Sequence, residues 1–542
     1  MKSLFKNIAA ALALTVILFA GCKNPAEDVQ IIVDTDIFKS PMLIQFLNAK
    51  AGSEGPKAFT VEVTGSGAGL VRTATGGKVF KTAEGLLNLF LDRTANPSPT
   101  SPVKFTIIAN ATGFAPTYQD IEVTSATDPI IYKVEMIQYA NPTAGSGAIV
   151  ATQAIANGVS GSDITFTTAT NAGMTQKSDL TVPSGTGFLD ATGQSVGGSQ
   201  LEARIVYTGT AADGTITNLP GGSFASNVIG ANGQPIAAGV YFNAAGSLSI
   251  NMFGGTKEVK TFTKPVSVDM EVNPSMINPN TNATIKVGET IPMWSLNDET
   301  GQWKAEGNAT FATSAAGKLV ARLQITHLSD WRCAYPSLSC SSSITITRQT
   351  DTEEETFSFK GIANTSIGSL VLKKGEKTKT FTGGVVPAGS NILTVTAGSA
   401  KYVTREQKTG IVASSSLCNA TTTFNFVEKP DLVRVDLDIK FKCTTKDLIT
   451  GINSFITITP VGANSSQSSS YSLNKGIGSG TITNGVTYKI VASVDGIAYT
   501  SQFTADKKNF KLPDGFDLTG TAVYNAGTNR LKITGQVTKS CN

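Results

Sequence analysis

A sequence with one histidine leaves few routes to acid–base or metal chemistry, and the only histidine of these 542 residues is His327. It stands in Thr326-His327-Leu328-Ser329-Asp330-Trp331-Arg332-Cys333, two residues before a hydroxyl. A histidine that close to a serine could act as its general base. Any Ser-His-Asp triad would have to draw on His327. Zinc sites built from three histidines, or from two and a glutamate, are excluded. A Cys-His nucleophile would need Cys333 as a free thiol. Acid pairs such as Asp298-Glu299 and Glu353-Glu354-Glu355 read as solvated turns rather than as glycosidase carboxylates, which need a set separation in space. Asp34-Thr35-Asp36 offers carboxylates to calcium but lacks an EF-hand-like loop. No Walker-type or dinucleotide glycine motif stands between a strand and a helix. No metal or cofactor is therefore expected. The three tryptophans, Trp294, Trp303 and Trp331, crowd around the histidine between residues 292 and 333. Aromatic clusters of this kind are more often core than site.

The elements that position this block belong to an exported, β-rich chain. Lys2 and Lys6 give a positive leader, residues 9–19 a short apolar stretch, and Leu18-Phe19-Ala20-Gly21-Cys22 its end. The stretch is too short for a membrane span and reads as a secretory signal over residues 1–21. Its ending resembles a bacterial lipobox. That resemblance implies that Cys22 becomes the lipidated first residue, and several acyl chains on one residue anchor a protein stably. Residue 23 is Lys. An Asp there resembles the inner-membrane retention signal of some bacteria, so the sequence leans towards an outer-membrane lipoprotein, exposed at the cell surface. No later stretch approaches the ~20 apolar residues of a spanning helix. Without the leader lysines the chain carries 42 basic and 40 acidic residues, which is no electrostatic footprint for nucleic acid. The expected partners are the membrane, through the lipid anchor, and a glycan or protein ligand.

Only 15% of residues are charged, and there are 53 glycines. With abundant Thr, Ser and Val this favours short strands and turns. The expected fold is all-β: tandem β-sandwich modules, Ig-like or transthyretin-like, on a lipid-anchored tether (residues 22–30). Length alone implies several domains. Strand-like runs between turn residues place a first sandwich at 31–140. Residues 83–90 also admit a helix, against which Gly85 counts. A larger β domain follows at 146–340, with clear alternation at 246–252 and 266–272 and a loop-like stretch at 209–239. A third sandwich is expected at 341–430 and a fourth at 431–542. The fourth opens with the plainest alternation in the chain: Val433, Val435, Leu437, Ile439 and Phe441 on one face, Arg434, Asp436, Asp438 and Lys440 on the other.

Export makes disulfides permissible. Cys333 and Cys340 could close a short loop around Tyr335-Pro336. Cys418 and Cys443 lie almost symmetrically about the turn 428–431 and could face each other across a hairpin. Cys443 with Cys541 is the competing pair, and the sequence does not choose.

Three resemblances add to this reading. Residues 105–117, with Ala111-Thr112-Gly113-Phe114, resemble the strand and Gly-aromatic turn of carboxypeptidase-regulatory-like, transthyretin-type sandwiches. Residues 485–491 resemble another transthyretin-type strand. The second domain, with Val182-Pro183-Ser184-Gly185-Thr186, Lys264-Pro265-Val266, Ile291-Pro292-Met293-Trp294 and Glu299-Thr300-Gly301-Gln302-Trp303, resembles ZU5-type modules, including those of cartilage-layer-type surface proteins. Its His327-Leu328-Ser329 is similar to the self-cleaving site of ZU5-type domains and of the GAIN domains of adhesion receptors. That resemblance implies an N-to-O acyl shift. Ser329 would attack the carbonyl of Leu328, His327 would take its proton, and water would hydrolyse the ester. The chain lacks the paired cysteines that flank the receptor motif.

Three functions compete. The first is a non-enzymatic, lipid-anchored surface protein serving binding or adhesion. The second is a self-cleaving surface protein cut between Leu328 and Ser329. The third is a glycan-processing accessory protein using carboxylates of the first or fourth domain.

Overall fold

The computed structural model describes residues 38–539 except 172, 210–218, 220–221, 238, 298–299, 338, 352–353, 361–365, 388–392, 398–401, 405–417, 419, 429–431, 445–447, 452, 464–466, 495 and 515–516. The proposed signal, Cys22, Asp34, Asp36, Asp298, Glu299, Glu353 and Cys541 fall outside the described residues, as does the side chain of Cys443. What is described is strand and turn almost throughout. No helix among the described residues is long and apolar enough to cross a membrane. The chain is all-β, as its composition implies.

Three of the four groups of strands share one plan. Each has two facing sheets, and in each the first strand runs parallel to the last. Phe38–Asn48 pairs with Ile130–Met136. Ser339–Arg348 pairs with Thr421–Glu428, and Leu432–Cys443 pairs with Arg530–Lys539. Because the first and last strands point the same way, the chain enters each unit at one end and leaves at the other. Between the sheets lie alternate residues of each strand: Met42, Ile44 and Phe46 in the first unit, Phe357 and Phe359 in the third, Val433, Val435 and Ile439 in the fourth.

The second unit differs. Between residues 146 and 337, 14 strands form one sheet, beside a separate two-stranded ribbon of Ile277–Asn278 and Ala283–Thr284. The sheet curls until its ends approach, where the Ala169 N–H donates to Ala148 O at 3.3 Å. A single large core fills it, from Phe166 and Leu180 through Ile250 and Met270 to Phe311 and Trp331. The stretch read as loop at 209–239 holds two short strands, Phe224–Ala225 and Val228–Ile229. The helix admitted at 83–90 is instead a turn, with Glu84 and Gly85 at positive φ, leading into the strand Leu86–Asp92.

The cysteines correct the expected pairing. Cys340 is bonded to Cys418, with Cα atoms 5.4 Å apart. Cys333 is a free thiol buried in the core of the second unit. The reason is strand direction. Ser343 lies opposite Thr421 in a parallel pair, so the residues three before each also lie opposite one another. A hairpin between Cys418 and Cys443 had assumed the antiparallel alternative. Cys333 points inward on a strand whose next-but-one neighbours, Trp331 and Tyr335, are also core, so it cannot turn towards Cys340.

The units are not beads on a string, because the first touches each of the others. Leu43 and Leu86, on the outward face of its sheet, bury against Phe455 and Val491 of the fourth. Beside them the Asn88 amide donates to Ser493 O, and Lys489 meets Glu84 at 2.6 Å. Asp128 receives Lys373 of the third unit at 2.9 Å and Lys379 at 3.8 Å. Burial opposes ionisation of Asp128, but the two lysines hold its carboxyl below the usual range. Ala115 and Ile137 pack on Ala148 and Val206 of the second unit.

Between the third and fourth units, Ser472 donates to the Glu354 carboxylate, and the Glu354 N–H donates to Ser479 Oγ at 3.2 Å. Burial pushes the Glu354 carboxyl above its ordinary 4.5, against the pull of Ser472 and Lys373. A raised carboxyl pKa means that the folded state binds the proton more tightly than the unfolded one. Stability from this group is therefore greatest below pH 4.5 and falls as pH rises from there through the folded pKa. Glu354→Gln removes the ionisation while keeping the acceptor. Its melting temperature is expected to fall less than wild type's between pH 4.5 and pH 7.5. An unchanged pH slope in differential scanning calorimetry would show that Glu354 is not the group responsible.

Candidate functional site

The block that carried the chemistry is assembled by three neighbouring strands of the second unit. Thr290–Asn297 lies between Gln302–Thr313 and Asp330–Ser337. A tight turn joins the first two. Its Thr300 N–H donates to Asn297 Oδ1 at 2.9 Å, and Gly301, at φ +64°, takes the left-handed conformation that glycine supplies without strain.

Strand alternation separates the three tryptophans. Trp331, Cys333 and Tyr335 point into the main core, so Arg332 and Ala334 point the other way. Trp294, opposite Arg332 in the register, also points outward. Trp303 joins it because of a bulge. Met293 lies opposite Gly307 and Trp294 opposite Ala305, so Glu306 is an extra residue on its strand. The bulge reverses the strand's faces. Trp303 and Ala305 before it face outward, whereas Ala309 and Phe311 after it face the main core.

The outward side chains form a second, smaller core. Phe242 sits edge-on to Trp294 with ring centres 5.1 Å apart and tilts against Trp303 at 5.3 Å. The Arg332 guanidinium lies over Trp303 at 4.3 Å and over Phe242 at 5.0 Å. Its Nη1 donates to Gly222 O at 2.9 Å, and the Trp294 indole N–H donates to Ala334 O at 3.0 Å. Arg332 is wholly buried. Burial pulls its pKa down to about 9, partly countered by Asp330, so it remains a cation at neutral pH.

This small core is shared between two units. Ile108 and Tyr118 of the first unit complete it, and Leu219, Ala225 and Val228 of the long connection roof it. At its edge Ser226 Oγ donates to Asp120 Oδ2 at 2.7 Å, and Thr106 Oγ1 donates to Asp120 Oδ1 at 2.7 Å. Trp294 and Trp303 are glue between units, and all three tryptophans are buried. Arg332 is the residue that the sequence reading quoted without using. Its signal was its place between two inward residues, Trp331 and Cys333, on a strand flanked by tryptophans.

His327, Leu328 and Ser329 lie at a corner of the sheet. His327 ends the strand Leu319–His327 and Asp330 begins the next, with Leu328 and Ser329 between them. These two strands are not neighbours; two others separate them in the sheet. The His327 ring packs on Trp331, with centres 4.8 Å apart. Leu328 is buried in the main core, and its N–H donates to Lys260 O at 2.8 Å. Ser329 is buried. Its hydroxyl donates to Leu296 O and accepts from the Leu296 N–H at 2.9 Å. The corner thus uses the Ser329 hydroxyl to fasten the chain to the strand of Trp294. Cys333, whose thiol burial pushes up to about 12, is no nucleophile at neutral pH. Among the described residues no group of three His, Cys, Asp or Glu side chains could hold a metal ion.

Fold and site together define an all-β protein of packed sandwiches whose aromatic block joins two of its units. No family model matches the chain, and no curated protein matches it. Among solved structures it is similar to the Bacillus anthracis TIE protein, at 10% identity over 66% of this chain and 72% of that one, with a TM-score of 0.14. It is also similar to the full-length major pilin RrgB from Streptococcus pneumoniae, at 8% identity over 92% of this chain and 100% of that one, with a TM-score of 0.13. BcpA, the major pilin subunit of Bacillus cereus, matches at 8% identity over 72% of this chain and 99% of that one, also with a TM-score of 0.13. Superpositions this loose carry no argument about function.

Trp303→Ala is expected to destabilise the second unit by about 3–5 kcal/mol, the usual loss for a buried tryptophan. It should also open the junction with the first unit, read as new cleavage near residues 140–146 in limited proteolysis. Trp303→Phe should recover much of the loss. A Trp303→Ala protein with wild-type urea midpoint and proteolysis pattern would show that this core does not couple the units.

Proposed function

We propose that this chain is a non-enzymatic, lipid-anchored envelope protein that holds a rigid multi-sandwich body at the cell surface for binding or adhesion to a glycan or protein. The supporting observation is the fate of its chemistry-bearing residues. Trp294, Trp303 and Arg332 are buried between units. Trp331 and Cys333 are buried within the second unit. The Ser329 hydroxyl is committed to backbone. A protein built this way presents surfaces rather than a reaction centre. The Ala20-Gly21-Cys22 sequence supports the anchor, and the four linked units support a body that keeps its shape at a distance from it. The carboxypeptidase-regulatory-like and ZU5-like resemblances belong to this proposal, as does an outer-membrane location.

The test is metabolic labelling with an alkyne fatty acid, followed by protease shaving of intact cells. Wild type should be labelled and should release peptides from residues 38–539, whereas Cys22→Ser should be neither labelled nor retained on the membrane. Unlabelled wild-type protein, or complete protection from protease on intact cells, would overturn the reading. Turnover of a polysaccharide or peptide by the purified protein would overturn its non-enzymatic part.

A second reading is favoured by the corner itself. Leu328 and Ser329 form the sharp link between two non-adjacent strands, with the sole histidine just before them. Self-cleavage there would require the Ser329 hydroxyl to leave Leu296 and reach the Leu328 carbonyl, with His327 turned from Trp331 to receive its proton. With the hydroxyl held by Leu296, a single intact species is expected by denaturing mass spectrometry, identical in wild type and Ser329→Ala apart from the one oxygen. Two wild-type fragments that meet between Leu328 and Ser329, absent in the variant, would establish self-cleavage instead.

A further inference from the structure

The edge of a β-sheet is a row of unpaired backbone N–H and C=O groups. Proteins keep such rows from pairing with other chains by charge, proline, shortness or cover. The longer edges of the first and third units follow that rule. Ile130–Met136 carries Lys133 and Glu135, and Thr117–Val123 carries Asp120 and Glu122. Thr378–Pro387 carries Lys379 and ends in proline. Ser366–Leu372 is uncharged but runs beside Ile130–Met136 of the first unit. Two further uncharged edges meet a neighbour. Ser146–Ala154 is joined near its start by Ala169, and Ile497–Thr504 sets Ala498 against the cluster of Leu43 and Phe455.

Leu518–Asn525, in the fourth unit, has none of these safeguards. Its eight residues, Leu-Thr-Gly-Thr-Ala-Val-Tyr-Asn, include no charge and no proline. It pairs with Arg530–Lys539 on one side and is the last strand of its sheet on the other. Among the described residues it takes part in none of the apolar clusters that join units. Thr519 and Thr521 are exposed, and Val523 is 63% exposed. Gly520 is exposed as well and has no room for a side chain of its own, since a Cβ there would collide with Thr534 O.

We propose that this edge is a homodimer surface, on which Leu518–Asn525 pairs antiparallel with the same strand of a second copy. A two-fold axis makes such a contact self-complementary and closes it at two copies. Residues directly opposite in an antiparallel pair share a face of the sheet, so the axis passes through a residue and not between two. Through Ala522 it sets Val523 of the second copy opposite Thr521, and Tyr524 of the second copy opposite Gly520. The first is a pair of β-branched residues, and the second lays an aromatic ring over an edge glycine; both stabilise sheets. An edge without charge fits a partner strand without charge, and the copy is one. The charges of the next strand stay apart. Lys532 lies beside Val523 and Arg530 beside Asn525, so the continuous sheet lines Lys532 up with Thr534 of the second copy, and Arg530 with Gln536 of the second copy. One strand pair is a small interface, so the association is reversible and depends on concentration.

The test is oxidative cysteine cross-linking of the purified full chain, read on non-reducing gels, beside sedimentation velocity over a concentration series. Opposed Cα atoms in an antiparallel pair lie about 4.5–5.5 Å apart, within the span of a disulfide. Ala522→Cys, on the axis, is therefore expected to give a species of twice the chain mass. Wild type and Thr519→Cys, which falls opposite Asn525, should not. Wild type should sediment as a reversible monomer and dimer. Thr521→Lys with Val523→Lys sets lysines opposite one another across the axis and should weaken the dimer about tenfold or more. Thr500→Lys, on the other edge strand of the unit, should leave it unchanged. Thr500, Thr521 and Val523 are exposed, and melting curves of the lysine variants should match wild type. If the double variant loses its fold, the cysteine pattern decides alone. Absence of the Ala522→Cys product, stronger cross-linking at Thr521→Cys, a wild type that stays monomeric throughout, or a dimer undiminished by the folded lysine pair would overturn the surface.

Discussion

The buried cation Arg332 sets the terms for the middle of this molecule. A guanidinium removed from water must find compensation or it destabilises the fold. Here the compensation includes two aromatic faces, Trp303 and Phe242, the Gly222 carbonyl and the charge of Asp330. Cation–aromatic contact gains strength once water is excluded, and Ile108 and Tyr118 of the first unit, with Leu219 and Val228 of the long connection, belong to the core beside it. The charge therefore sits in a core to which both the first and the second unit contribute. A purely apolar patch could pack equally well in several orientations. One cation with two ring partners and a carbonyl admits far fewer.

The same reasoning extends outward through the first unit. Its strand Phe38–Asn48 is buried on both faces, with Met42, Ile44 and Phe46 inward and Leu43 against Phe455 and Val491 of the fourth unit. A strand covered on both sides reads as a continuous apolar run rather than an alternating one. The run Met42-Leu43-Ile44 has that character. Parallel pairing of first and last strands supplies the complementary constraint. It sends the chain through each of these three sandwiches lengthwise, while the outer faces of the first unit's two sheets meet the second and fourth units. The Cys340–Cys418 bond works within this scheme. It clamps the entering strand of the third unit to the leaving one, fixing the two strands through which its neighbours are connected.

The fold class was legible because it depends on composition and period, and both are local. The opening strand of the fourth unit shows this best. Val433, Val435 and Ile439 are buried, and Asp436 faces outward to meet Arg530 at 2.7 Å. What could not be read depends on partners distant in sequence. The bulge at Glu306 reverses the faces of its strand, so a periodicity argument carried through it would assign Trp303 to the wrong core. Cysteine pairing followed strand direction, and nothing in the spacing of Cys333, Cys340, Cys418 and Cys443 encodes whether two strands run parallel. The tryptophan block was correctly marked as unusual, yet its division into Trp331 on one side and Trp294 with Trp303 on the other is a property of the sheet.

The chain's rare residues and its looser packing therefore lie in different places, and that separation bears on where function resides. Residues that sequence reasoning selects for chemistry are scarce, large or charged, and such residues are also the ones that make strong, specific contacts when buried. In the second unit they were used that way, and 34 buried apolar residues form the main core beside them. The described core of the fourth unit is built mostly from Val, Ile, Leu, Phe and Tyr, and it keeps unfilled space between its two sheets. Tightly satisfied cores resist change, whereas a half-filled apolar interior lowers its free energy by taking something in.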